Sequence, residues 1–155
     1  MTGRRERRWT EYTLRLAILA RRMIIASVLG AVGTATAGLP VRELADLNGR
    51  NGFVLRGVTA GDEAGFPVSA AGDVNRDGFD DLFIGASRAD PNGDDSGASY
   101  VIFGGAGVGN SGAIELSALN GTNGFVLNDV AAGDLAGATV NGAGDVNGDG
   151  IDDLL

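Results

Sequence analysis

Two nine-residue stretches carry the side chains best suited to chemistry, Asp73-Val74-Asn75-Arg76-Asp77-Gly78-Phe79-Asp80-Asp81 and Asp145-Val146-Asn147-Gly148-Asp149-Gly150-Ile151-Asp152-Asp153. Each places oxygen side chains at positions 1, 3, 5 and 9, with a glycine at position 6 that permits a left-handed turn. Alternation turns the first three oxygens inward, the carbonyl of Phe79 or Ile151 is available at position 7, and Asp81 or Asp153 closes the cage. The candidate metal ligands are therefore Asp73, Asn75, Asp77, Phe79 and Asp81 in one loop, and Asp145, Asn147, Asp149, Ile151 and Asp153 in the other. Hard oxygen donors in this number suit Ca²⁺ better than Mg²⁺, whose small octahedron usually keeps waters. Asp80 and Asp152, at position 8, are expected to face solvent. An EF-hand is excluded, because the twelfth residue from Asp73 is Ile84 where that site needs a bidentate Glu. The site expected is structural, with a dissociation constant of roughly 10⁻⁴ to 10⁻³ M, as in extracellular modules.

Composition narrows the remaining chemistry. Lys, His and Cys are absent, which removes the zinc-type ligand sets, the Cys and His nucleophiles and any disulfide framework. General acid/base catalysis would need paired carboxylates in a pocket, and the acids here are accounted for by the two loops and by turns. No catalytic residue and no organic cofactor is expected. The formal charge of −8 is unevenly spread: beyond Ala37 five Arg face eighteen Asp and Glu, a charge of −13. Such a surface repels nucleic acid and anionic membrane and attracts cations.

Seven of the twelve Arg precede Met23, and Arg21-Arg22 lead into the apolar run Met23 to Val32 and then Ala35-Thr36-Ala37. This is the layout of a secretory signal peptide, expected to be helical, over residues 1–37. The run is too short for the roughly 20 residues that span a bilayer, so no stable membrane span is expected.

The elements that hold the two loops follow from an internal repeat. Residues 47–83 align without a gap on 119–155 at an offset of 72, with 25 of 37 positions identical. Apolar runs within a unit are short and bounded by Gly, Asn and Asp, which predicts strands at Gly52–Leu55, Val68–Ala71, Leu82–Ala86, Ser99–Phe103, Gly124–Leu127 and Thr139–Ala143. Asn-Gly pairs at 48, 51, 92, 120 and 123 supply the positive φ of tight turns. The fold expected is all-β: a partial β-propeller of about one and a half four-stranded antiparallel blades, with a first repeat over 38–118 and a truncated second over 119–155. A lone four-stranded blade cannot bury both faces and must stack on neighbours.

The order Gly65-Phe66, Val68 to Gly72, the first loop, Asp81-Leu82-Phe83-Ile84, Gly85-Ala86-Ser87 and Ser96 to Gly104 resembles the FG-GAP repeat, the blade of the integrin alpha-chain β-propeller, also widespread in bacterial secreted proteins. The resemblance departs at three places. Gly65-Phe66 inverts the family's Phe-Gly, Ser87 stands where Pro is usual, and Gly137-Ala138 lacks the aromatic. It implies a seven-bladed propeller with Ca²⁺ in hairpin loops on one face, acting in adhesion or ligand recognition. The expected role is thus a non-catalytic calcium-binding module of a secreted or cell-surface protein. Its partner would be a protein or glycan, and further repeats or subunits would be needed to close a ring. The alternatives are an accessory propeller portion of a larger secreted hydrolase and a non-functional truncated fragment. Asp90 to Asp95 reads as a solvated loop, Asn120-Gly121-Thr122 as a turn rather than a used glycosylation acceptor, and Phe53, Phe66, Phe103 and Phe125 as blade core.

Overall fold

The computed structural model describes residues 43–155 and the backbone of Arg15–Leu19 and Arg22–Ala26. In chain order the strands are β1 Arg15–Leu19, β2 Arg22–Ala26, β3 Phe53–Arg56, β4 Val68–Gly72, β5 Asp81–Ala86, β6 Ala98–Ile102, β7 Ala113–Glu115, β8 Gly124–Asn128, β9 Gly142–Gly144 and β10 Asp153–Leu154. Short 3₁₀ turns at Leu44–Asp46 and Leu116–Ala118 precede β3 and β8 at equivalent places in the repeat.

Alternation along β5 and β6 explains the architecture. Leu82, Ile84 and Ala86, with Ala98, Tyr100 and Ile102 opposite, point to one face, where they pack with Leu55, Leu116, Phe53, Ile114 and Leu119. Phe83 and Val101 point to the other face and pack with Ala71, Val140 and the partly buried Val74, Phe103, Phe125 and Leu154. Both faces of the sheet are therefore covered, and β6 is buried at every residue. Ile84, Val101 and Leu55 are fully buried, each contributing about 1.5–3 kcal/mol of hydrophobic stabilisation.

This central sheet is antiparallel in the order β4-β5-β6-β8, and its fourth strand comes from the second repeat. The strand equivalent to β8 in the first repeat is β3, which lies in a separate sheet of order β1-β2-β3-β7. Sequence repeat and sheet are thus out of phase: the first unit gives β3 to one sheet and β4, β5 and β6 to the central one, and the second gives β8 to the central sheet and β9 and β10 to a third. The fold is all-β, and its sheets form an open arrangement among the described residues, consistent with part of a propeller.

Most expected strands are present, with their ends shifted by a residue. Thr139–Ala143 is the least accurate, the strand being Gly142–Gly144. The three-residue β7 had not been expected; it is too short to give a hydrophobic period and is held by parallel pairing of Val54, Leu55 and Arg56 with Ala113, Ile114 and Glu115. An Arg56–Glu115 ion pair at 2.7 Å sits across that ladder. Arg15–Leu19 and Arg22–Ala26 run as strands within the segment 1–37, β1 pairing with β2 and β2 with the edge of β3, whose backbone groups it satisfies. The rest of that segment lies outside the described residues. Phe66 is a correction. It is 67% exposed rather than core, because the backbone around it bridges to Ala86 at the sheet's margin and turns the ring outward.

The second repeat crosses the first blade at Gly85. A Cβ there would run into the Gly137 carbonyl and the Pro67 ring, so the close approach of the two units depends on glycine. Gly85 donates its N–H to the Pro67 carbonyl at 2.9 Å.

Candidate metal-binding loops

Both Asp-rich loops are hairpin connections, one between β4 and β5 and one between β9 and β10. Each begins at the same irregularity. Gly72 pairs with Asp81 and Ala70 with Leu82, skipping Ala71; Gly144 pairs with Asp153 and Gly142 with Leu154, skipping Ala143. Gly72 and Gly144 adopt φ of +74° and +70°, the left-handed glycine of a β-bulge that re-aims the chain beside a site. The two-residue β10 provides the second loop with an exit strand, paired to β9.

Inside the first loop the expected ligands converge on the loop's own backbone. Asp73 accepts from the N–H of Asp77 at 3.1 Å and of Gly78 at 2.9 Å through different oxygens. Asn75 Oδ1 accepts from Asp77 N–H at 2.9 Å, Asp77 Oδ1 accepts from Phe79 N–H at 2.9 Å, and Asn75 Nδ2 donates to Asp77 Oδ2. The second loop repeats the wiring. Asp145 accepts from Gly148, Asp149 and Gly150, Asn147 from Asp149, and Asp149 from Ile151, at 2.7–3.0 Å. Gly78 and Gly150 have φ of +86° and +82°, as position 6 requires.

Position 9 separates the copies. Asp81 is only 1% exposed and is held from both sides: Val74 N–H donates to one oxygen at 2.9 Å and Gly104 N–H to the other at 2.7 Å. Burial pushes its carboxyl above the usual value, against those two N–H bonds, and the charges of Asp77 and Asp73 push it further. Asp153 keeps the counterpart of the first bond, Val146 N–H at 2.9 Å, but in place of the second has a long 3.4 Å contact from Asn147 Nδ2. Asp73 and Asn75 are half-buried, whereas Asp145, Asn147 and Asp149 are exposed.

The donor chemistry fits a hard cation. A carboxylate offers about four lone-pair positions, and Asp73 and Asp77 each spend two on hydrogen bonds. The oxygens are nonetheless not drawn into a tight cluster: among the described residues no three His, Cys, Asp or Glu side chains converge to a metal-holding group. Phe79 and Ile151 stand at position 7 with their N–H groups committed to Asp77 and Asp149.

Residues 67–102 match the family model of the FG-GAP repeat. The match begins with β4 and ends with β6, enclosing the first loop and less than a quarter of the chain. No curated protein matches the chain. The FG-GAP segment therefore contains three strands of the central blade, the bulge at Gly72 and every first-loop candidate, while Gly104, which caps Asp81, lies just beyond it.

Three residues that shape the two loops are not evident from the sequence. Asp152, expected to be a solvated charge, accepts from the Asp73 N–H at 2.8 Å through Oδ2. The sequence carried no signal for it, since the equivalent Asp80 is exposed and the partner lies in the other loop. Arg76 has φ +63° at position 4, where the second loop has Gly148 at +78°; that Arg-for-Gly exchange marked the position as left-handed. Gly104 gave no signal, since its role depends on β6 returning beside the loop. Asp90 to Asp95 is exposed as expected, and Asn120 Oδ1 accepts from Thr122 N–H in the expected turn. Elsewhere, a cleft of about 260 Å³ opens beside Asp62 and Tyr100, touching none of the metal candidates. Among the described residues no helix is long and apolar enough to cross a membrane.

Proposed function

We propose that this chain is a calcium-binding β-propeller repeat module of an exported or cell-surface protein, presenting loops to a protein or glycan partner and carrying out no catalysis. One observation carries the reading: two loops 72 residues apart hold the same five donor positions in the same turn geometry, each entered through a glycine bulge. Ca²⁺ would supply charge neutralisation and a rigid centre for a hairpin whose carboxylates otherwise repel. Asp73, Asn75, Asp77, Asp81 and the Phe79 carbonyl would hold it in the first loop. Asp145, Asn147, Asp149, Asp153 and the Ile151 carbonyl would hold it in the second. Export through residues 1–37 places the module where millimolar calcium is available to sites of weak affinity. The FG-GAP match and the absence of His, Lys and Cys support a binding rather than a catalytic role.

Calorimetric titration with calcium tests this on the wild type and on Asp73→Ala combined with Asp77→Ala. The double variant should lose the first-loop heat. Undiminished binding would remove the site assignment.

A further inference from the structure

The two loops grip each other through residues that the cation reading does not use. From the second loop, Asp152 Oδ2 accepts from the Asp73 N–H at 2.8 Å, and its own N–H donates to the Asp73 carbonyl at 3.4 Å. Gly72 has no room for a Cβ because the Asp152 carboxylate lies against it. From the first loop, the Arg76 guanidinium donates to the Asp149 carbonyl, donates from Nε to the Gly150 carbonyl at 3.3 Å, and stands 3.6 Å from Asp149 Oδ1. Position 1 of one loop is thus held by position 8 of the other, and positions 5 and 6 of the second by position 4 of the first. Arg76 occupies a left-handed backbone where Gly148 in the other copy carries no strain. Its side chain is directed at the neighbouring loop.

We infer that Arg76 and Asp152 couple the two loops into one ordering unit, so that calcium seated in either loop raises the affinity of the other. The inference rests on the cation-binding reading only for its second half. Asp73 and Asp149 are candidate ligands in different loops, and each has its backbone fixed by a residue of the opposite loop. A cation that orders one loop therefore lowers the ordering cost of the second, and the effect is reciprocal by linkage. Arg76 makes its hydrogen bonds to carbonyls and is half-exposed, so its charge is a screened competitor for the cation rather than a block.

The test reads each substitution in the loop that was not changed. Amide hydrogen exchange in EDTA is followed at Asp149, Gly150 and Ile151 for Arg76→Ala and Arg76→Gly, and at Asp77, Gly78 and Phe79 for Asp152→Ala, which removes the acceptor of the Asp73 N–H. Exchange in the opposite loop should rise about fivefold, the lower end of ordinary coupling energies. Arg76→Gly also relieves the left-handed strain, so faster exchange there comes from the lost guanidinium. Changes confined to the substituted loop would overturn the coupling. Titration with calcium alone supplies the second arm: cooperative filling in the wild type should become independent in Arg76→Gly. Independent filling in the wild type refutes the coupling and leaves calcium binding standing. Coupled exchange without any calcium heat supports the clamp and removes the cation reading.

Discussion

The pair Asp81 and Asp153 offers a test in which repeat position is constant and burial varies. In Asp81→Ala the N–H groups of Val74 and Gly104 lose their acceptors inside a site that is 1% exposed. An orphaned buried donor costs about 1–3 kcal/mol, so two cost about 2–6 kcal/mol. Relief of a desolvated charge lying near Asp77 and Asp73 offsets part of this, leaving a net loss of about 1–4 kcal/mol. Asp153→Ala removes one good bond at a half-buried site, for a loss of about 0.5–1.5 kcal/mol.

Urea unfolding followed by far-ultraviolet circular dichroism, in EDTA, measures both without a contribution from metal. The direction with pH is fixed as well. Asp81 has a folded-state pKa above 3.8, so the folded protein holds this proton more tightly than the unfolded chain. Its contribution is fully present below 3.8 and is lost as pH rises through the raised value. Asp81→Asn cannot titrate and should remove that slope. If Asp81→Ala costs under about 0.5 kcal/mol, the range of ordinary surface substitutions, or costs no more than Asp153→Ala, then the two N–H bonds do not anchor the loop and the reasoning fails.

Two further outcomes follow from the blade itself. Burial first, and then the charge of Asp62, raise the Tyr100 phenol above 10.0; absorbance at 295 nm should show it ionising above 10.0, and stability should fall as pH climbs from 10.0 through the folded value, a loss that Tyr100→Phe abolishes. Ionisation of Tyr100 at or below 10.0 refutes this. Phe103 and Phe125 meet edge to face with centroids 5.8 Å apart at 66°, and a double-mutant cycle to Leu should return a coupling of about 0.5–1.5 kcal/mol, with zero coupling as the contrary result.

What the sequence disclosed depended on how local the cause was. Gly78 and Gly150 were legible because a left-handed turn at position 6 is written in one residue. The strands β5, β6 and β8 were legible because each is a short apolar run between turn residues. Asp152, Gly104 and the outward Phe66 were not, because the partner that decides each one is remote in sequence: Asp73 for Asp152, Asp81 for Gly104 and the margin at Ala86 for Phe66. A pattern of types and spacing reveals which oxygens face a loop's interior. It does not reveal that Asp81 is claimed from behind by a strand returning twenty-three residues later.

The phase difference between repeat and sheet connects these contacts. Because β8 belongs to the second repeat in sequence but to the first blade in space, the chain from 129 onward starts from that blade's edge and must cross its face to begin the next sheet. That crossing brings Gly137 onto Gly85 and buries Val140 against Phe83 and Val101. It then sets β9 beside β4, placing Gly144 in the same relation to Asp153 that Gly72 has to Asp81. Once the two bulges lie side by side, the loops they launch are neighbours, and Asp152 falls within reach of Asp73. The loop-to-loop clamp is therefore a consequence of strand exchange between repeats.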